Sequence, residues 1–338
     1  MRKPDFENLL KVLARQKPSR PTLFEFIIGT RIFEHILGRK APAANALDLN
    51  RFVTEGFAAA GYDYAVLMSW ILPNSLEFKK NEVHRKESIS LNEGFVVTDR
   101  KSFDSYAWPD PDKCDYSIYD DLRPHIPDGM KLIACGPGGL LENTISLVGY
   151  DNLCIMLYEE HDLIKAIFDA IGSRLLRHYE IVSAFPAVGA CIVNDDWGFK
   201  TQTMLSTDQM REFVVPWHKR MVAAIHAKKK PAILHSCGNL EKVMDDVIDD
   251  IKFDGKHSYE DAILPVEQAW EKWGDRIAIL GGLDVDFLCR SSALAVAERS
   301  RKILEKTGWR SYGLGSGNSI PDYIPVENYL AMIRAVTS

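Results

Sequence analysis

A histidine and a cysteine stand two residues apart in His235-Ser236-Cys237-Gly238-Asn239, directly after the apolar run at 231–234. An imidazole nitrogen and a thiolate sulfur are donor types used by zinc sites, so a strand stopping here would deliver both to one place. Other chemistry-bearing residues stand after comparable runs. In Asn194-Asp195-Asp196-Trp197-Gly198, one aspartate is expected to cap the helix after its strand. The other would face a cleft, accepting a substrate N–H or moving a proton. His257 is open to two readings, packing at a strand end or acting as a ligand or acid/base. Gly315-Ser316-Gly317-Asn318-Ser319 offers backbone N–H groups that could cradle an anion, or is simply a turn.

These residues need elements to position them. Short apolar runs at 22–26, 64–69, 131–135, 190–194, 232–235, 253–257, 277–281 and 311–315 read as eight strands. Between them, apolar residues recur at three and four over 47–60, 160–184, 207–227, 240–251, 266–273 and 294–306, the helical period. Strands alternating with helices predict a parallel sheet covered on both faces, and eight of them predict a closed α/β barrel, one (β/α)8 TIM-barrel domain over 1–338. Active groups of such a barrel come from the C-terminal strand ends. There the chain places Glu25, Ser69, Trp70, Cys135, Gly136, residues 194–197, His235, Cys237, His257, Ser258, Asp284, Ser316 and Asn318. A long insertion at 71–127, after strand two, reads as a capping loop. Its aromatics Phe103, Tyr106 and Trp108 either close over the mouth or pack the loop onto the barrel.

Composition excludes some functions. With 338 residues, 46% of them hydrophobic, the chain can bury a large core, and a net charge of -6 offers no basic field for nucleic acid. No apolar run approaches the ~18 residues of a membrane span, and the first residues lack a secretory pattern. Six cysteines without close pairing suit a reducing compartment, so a cytoplasmic protein is expected, with a homodimer as the default assembly.

Five segments in order resemble the uroporphyrinogen decarboxylase superfamily: Cys135-Gly136-Pro137-Gly138-Gly139-Leu140-Leu141-Glu142, Asn194-Asp195-Asp196-Trp197-Gly198, His235-Ser236-Cys237-Gly238-Asn239, Gly281-Gly282-Leu283-Asp284, and Gly315-Ser316-Gly317-Asn318-Ser319-Ile320-Pro321 with Pro325-Val326-Glu327-Asn328. The resemblance implies a TIM barrel whose cleft takes either a uroporphyrinogen or the substrates of corrinoid-dependent methyltransferases. The decarboxylases carry arginines after strand one, where this chain reads Leu23-Phe24-Glu25-Phe26, an aspartate where it has Trp70, and a histidine where it has Ser316. The methyltransferase branch is closer, because His235 and Cys237 match its pair of zinc ligands. Its further cysteine falls at Ser316, so Asp284, Glu25 or His257 would have to substitute.

The expectation is therefore a methyltransferase moving a methyl group between a corrinoid (cobalamin), presented by a separate corrinoid protein, and a small acceptor. Zn2+ would sit on His235, Cys237 and Asp284. Asp195, Asp196 and His257 are the expected catalytic residues, and Glu25, Trp70, Trp197, Ser316 and Asn318 the expected substrate contacts. A uroporphyrinogen decarboxylase and a non-catalytic corrinoid- or tetrapyrrole-binding barrel are the alternatives.

Overall fold

The computed structural model describes residues 2–43, 45–68, 74–80 and 91–337. The expected contact Trp70 lies outside the described residues. Eight parallel strands, β1 (Thr22–Leu23), β2 (Tyr64–Met68), β3 (Lys131–Cys135), β4 (Val188–Asn194), β5 (Ala232–His235), β6 (Gly255–His257), β7 (Ala278–Leu280) and β8 (Tyr312–Leu314), form one curled sheet. Its order is β1-β8-β7-β6-β5-β4-β3-β2, a (β/α)8 TIM barrel. Strand residues such as Ile133, Cys191, Ile192, Ile233 and Leu234 are fully buried, as a sheet covered by helices on one face and filled on the other requires.

Among the described residues, no backbone ladder joins β1 to β2; a side chain bridges that seam. The Glu25 N–H donates to the Tyr64 hydroxyl at 2.6 Å, and that hydroxyl lies 2.8 Å from the Glu25 carbonyl to which it donates. This explains why β1 is shorter than the run at 22–26 suggests: after Phe24, whose N–H still reaches Leu314 O at 2.7 Å, the backbone turns to a tyrosine rather than to a strand.

The helical readings at 266–273, 160–184 and 294–306 correspond to Val266–Trp273, His161–Val182 and Ala293–Thr307. The reading at 47–60 corresponds to Ala46–Ala60, begun by the Asn45 side chain accepting Asp48 N–H and ended at Gly61 with φ 95°. Residues 207–227 are less regular, with a wide turn over Met210–Val214 before Val215–Ala227. Pro216 supplies no N–H to the preceding turn, a physical reason for the local change of hydrogen-bond spacing. Over 240–251 the expected helix is instead a tight turn at Glu241–Val243 and a wide one at Asp246–Ile251.

The insertion aromatics pack rather than cap. Trp108 lies 5.2 Å from Phe103 and 4.7 Å from Tyr106 between ring centroids, and the Arg174 guanidinium of the helix His161–Val182 sits 5.1 Å over its ring. No helix among the described residues is long and apolar enough to cross a membrane.

Candidate active site

Strand register sets the level of the site. Asn194 pairs with His235 and His235 with His257, so the last residues of β4, β5 and β6 stand side by side. The rings of Phe26 and Phe24 lie 4.4 Å from His235 and 5.1 Å from His257, which places both imidazoles among apolar side chains of the barrel interior.

The two histidines fix each other's protons. His257 Nε2 lies 3.2 Å from the Ser316 carbonyl, which can only accept, so Nε2 carries the hydrogen and Nδ1 is bare. His235 Nδ1, 2.8 Å away, must then be the donor of that pair. The remaining nitrogen, His235 Nε2, is left unprotonated as an acceptor 3.9 Å from Cys237 Sγ, whose thiol can donate to it. Burial holds the His257 imidazolium down to about 3 and His235 well below its usual range, so both rings are neutral.

Cys237 is held from several sides. Asn318 Nδ2 donates to its sulfur at 3.2 Å and Ser258 Oγ at 3.5 Å. Its backbone N–H donates to Asp196 Oδ1 at 2.8 Å. Burial and then the Asp196 charge push the thiol up to about 12, so without a cation the sulfur keeps its proton. Asp196 arrives because the loops after β4 and β5 touch backbone to backbone. Gly198 N–H donates to Cys237 O at 3.2 Å and Asn239 N–H to Phe199 O at 2.8 Å. Gly238, at φ +87°, has no room for a Cβ, which would stand 2.1 Å from Gly198 O.

One ligand atom from each of Asp196, His235 and Cys237 lies within 4.8 Å of the others. A carboxylate, a bare imidazole nitrogen and a sulfur are borderline donors of the kind zinc takes, and three protein ligands leave a fourth position for substrate. The donor set therefore fits a divalent cation. The bare lone pair on His235 is the specific sign of that fit, since a ligating histidine commonly donates its other N–H to a second group.

Several expected site residues are placed elsewhere. Asp284 is spent on capping the helix Val285–Arg290, with Oδ1 accepting Phe287 N–H at 3.1 Å and Oδ2 accepting Asp261 N–H at 3.0 Å. Glu25 does not face the mouth. Phe24 and Phe26 take the interior, and the intervening carboxyl is fully buried, accepting Ser316 N–H at 2.6 Å and the Ser316 hydroxyl at 2.7 Å. Burial raises that carboxyl to about 8. Ser316 is likewise fully buried, turned to Glu25 rather than to the donor group. His257 is buried with both ring nitrogens engaged, by His235 and by the Ser316 carbonyl.

The adjacent aspartates divide as expected in number but not in place. Asp195 caps the helix Leu140–Val148 after β3, not the one after β4. Its oxygens accept the N–H groups of Leu141 at 3.1 Å and Glu142 at 3.0 Å, and Trp197 Nε1 at 2.9 Å. Trp197 is 0% exposed, with its ring N–H held by Asp195. Asn318, half-buried, stays at the mouth against Cys237.

Three further residues belong here: Ser258, which the sequence places at a strand end, Glu142, which closes the first resembling segment, and Lys256, which the sequence does not single out. Glu142 accepts Gly139 N–H at 2.8 Å. Burial, then Asp195 and Asp196, raise its carboxyl to about 8, leaving a proton-bearing acid beside the donor group. Ser258 holds φ 86°, a conformation L residues seldom take, while its hydroxyl reaches the Cys237 sulfur. Lys256 donates to the Ser258 carbonyl from a buried position.

Comparison with known proteins places these features in context. Residues 99–338 match the family model described as Uroporphyrinogen decarboxylase (URO-D). A uroporphyrinogen decarboxylase from Dechloromonas aromatica is 26% identical over 200 residues, 56% of this chain and 52% of that protein. A methylated-thiol--coenzyme M methyltransferase from Methanosarcina mazei is 27% identical over 191 residues, 56% of this chain and 48% of that protein. The chain spans about half the length of these two relatives. A uroporphyrinogen decarboxylase from Anaeromyxobacter dehalogenans, 25% identical, is matched over 82% of this chain and 80% of its own length. Among solved structures, a methyltransferase from Methanosarcina mazei superposes with a TM-score of 0.69 at 15% identity, covering 98% of this chain and 97% of that one, a likeness of fold.

Proposed function

The chain belongs to the uroporphyrinogen decarboxylase (URO-D) family, and from that premise we propose that it is a methyltransferase whose Asp196, His235 and Cys237 hold a divalent cation, zinc by donor chemistry, where a small acceptor takes a methyl group from a corrinoid. The observation that carries this reading is the convergence of those three donor atoms within 4.8 Å. The methyltransferase relative from Methanosarcina mazei supports it.

When bound, the cation would act as a Lewis acid, lowering the pKa of an acceptor thiol so that it reacts as thiolate. The chain's own residues do the rest. His257 holds His235 in the tautomer with Nε2 free. Asp196 both offers a carboxylate oxygen and fixes the Cys237 backbone by accepting its N–H. Asn318 and Ser258 donate to the Cys237 sulfur, sharing its negative charge once the proton has left. Glu142, beside Asp196, is raised by burial and by the Asp195 and Asp196 charges; with a cation offsetting the Asp196 charge, its carboxylate would take the proton the acceptor thiol gives up. The corrinoid would be carried by a separate protein docking on the rim of the mouth.

Decarboxylation of a porphyrinogen is the competing reading, supported by relatives of that name. The open cleft beside Asn318 weighs against it, because its lining cation Arg290 is paired with Asp286, and Arg299 nearby is spent on Asp261. Such a cleft leaves few unpaired cations to grip the carboxylates of a porphyrinogen. Incubation with uroporphyrinogen separates the two: no coproporphyrinogen is expected, and its steady release would replace this reading with the decarboxylase one.

A further inference from the structure

Strand alternation sends Lys256 to the face of β6 opposite His257, away from the barrel interior. There it lines a slot beside the Cys237 loop, walled by Leu240, Met244, Ile263, Leu264 and Trp273. Two polar groups of the slot have unmet bonding capacity. Lys256 is 3% exposed, yet its ammonium, with three N–H donors, has one hydrogen-bond acceptor among the described residues, the Ser258 carbonyl. Its Nζ otherwise sits 4.1 Å over the Tyr259 ring. Tyr259, 6% exposed, has a buried hydroxyl with no hydrogen-bond partner. Natural proteins seldom leave buried donors unpaired unless something external completes them.

We infer that this slot binds a small monocarboxylate with an apolar body, its carboxylate taking the Lys256 ammonium and the Tyr259 hydroxyl and its body lying against Leu240, Ile263 and Leu264. An anion is required because a buried ammonium facing an apolar wall gains most from an opposite charge. A single charge is required because the lining also contains Glu260, which opposes a second one. A neutral ligand would add no charge to the partial compensation that Asp196 and Glu260 give the ammonium. The slot adjoins the proposed cation centre without resting on it: Cys237 and Asp196 both act on the Lys256 charge, Lys256 holds the Ser258 carbonyl, and the Ser258 hydroxyl donates to Cys237.

Calorimetric titration of the full chain with sodium isobutyrate, and with isobutyramide as the neutral counterpart, tests the assignment. Saturable binding of the acid is expected, with the amide weaker by about tenfold or more. Lys256→Met should weaken the acid by about tenfold or more, and Tyr259→Phe by a smaller factor, about threefold. If Lys256→Met does not fold, Tyr259→Phe and Ile263→Trp, which fills the slot, decide. Absence of saturable binding, an amide that binds as well as the acid, or an affinity unchanged in both Tyr259→Phe and Ile263→Trp would overturn the inference.

Discussion

His235 and His257 meet Nδ1 to Nδ1 at 2.8 Å across neighbouring strands, and only one of the two nitrogens can hold the hydrogen. The Ser316 carbonyl on the far side of His257 decides which, so a backbone oxygen after β8 sets the tautomer of a histidine at the end of β5. The lone pair that results points to the sulfur of Cys237.

Removing His257 therefore acts on a residue it does not replace. His257→Phe keeps an aromatic ring in the packed interior but leaves the His235 Nδ1–H without its acceptor. Zinc affinity, measured by competition with a chromogenic chelator, should fall by about tenfold to a hundredfold, the usual loss when the partner of a ligating histidine is removed. An unchanged affinity would show that His235 needs no such orientation.

The neighbours Asp195 and Asp196 should give opposite phenotypes. Asp195→Ala strips the cap from Leu141 and Glu142 and the partner from Trp197 Nε1, all in a buried setting. A loss of about 2–3 kcal/mol in urea unfolding is expected, with zinc stoichiometry retained in the folded protein. Asp196→Ala should cost about 1 kcal/mol or less in stability and abolish tight zinc binding. Reversal of the two results would exchange their roles.

Glu25 makes stability depend on pH. Burial raises its carboxyl from the ordinary 4.5 to about 8 in the folded chain, so the folded state holds a proton that the unfolded state releases between those values. Its contribution is complete below about 4.5 and is lost as pH rises through about 8. Glu25→Gln, which keeps the shape without the ionisation, should flatten the decline in stability between about pH 4.5 and pH 8 as read by urea midpoints. An identical decline in wild type and variant would assign it to other groups.

Much of the frame is legible in the sequence because strand residues such as those of β3, β4 and β5 are buried on both faces and form short, uninterrupted apolar runs. His235 and Cys237 are legible for a related reason, being polar groups that directly follow such a run. The third donor is not. Choosing Asp196 over Asp284 requires knowing that two glycines let the loops after β4 and β5 cross at van der Waals range, a tertiary relation that spacing does not carry. The outward turn of Glu25, by contrast, is implicit in Phe24-Glu25-Phe26: if the two phenylalanines fill the interior, period-two alternation sends the carboxyl the other way. The short β1 hides from pattern reading because a tyrosine hydroxyl, not a strand, satisfies the Glu25 backbone.

X-ray absorption at the zinc edge, on protein loaded with one equivalent of zinc, tests most directly whether Asp196, His235 and Cys237 share one cation. The expected spectrum shows a single sulfur at about 2.3 Å with nitrogen and oxygen completing a four-coordinate shell at about 2.0–2.2 Å, and no sulfur in Cys237→Ala. A shell with two sulfurs, a shell with none, or a wild-type chain that retains no zinc would contradict it.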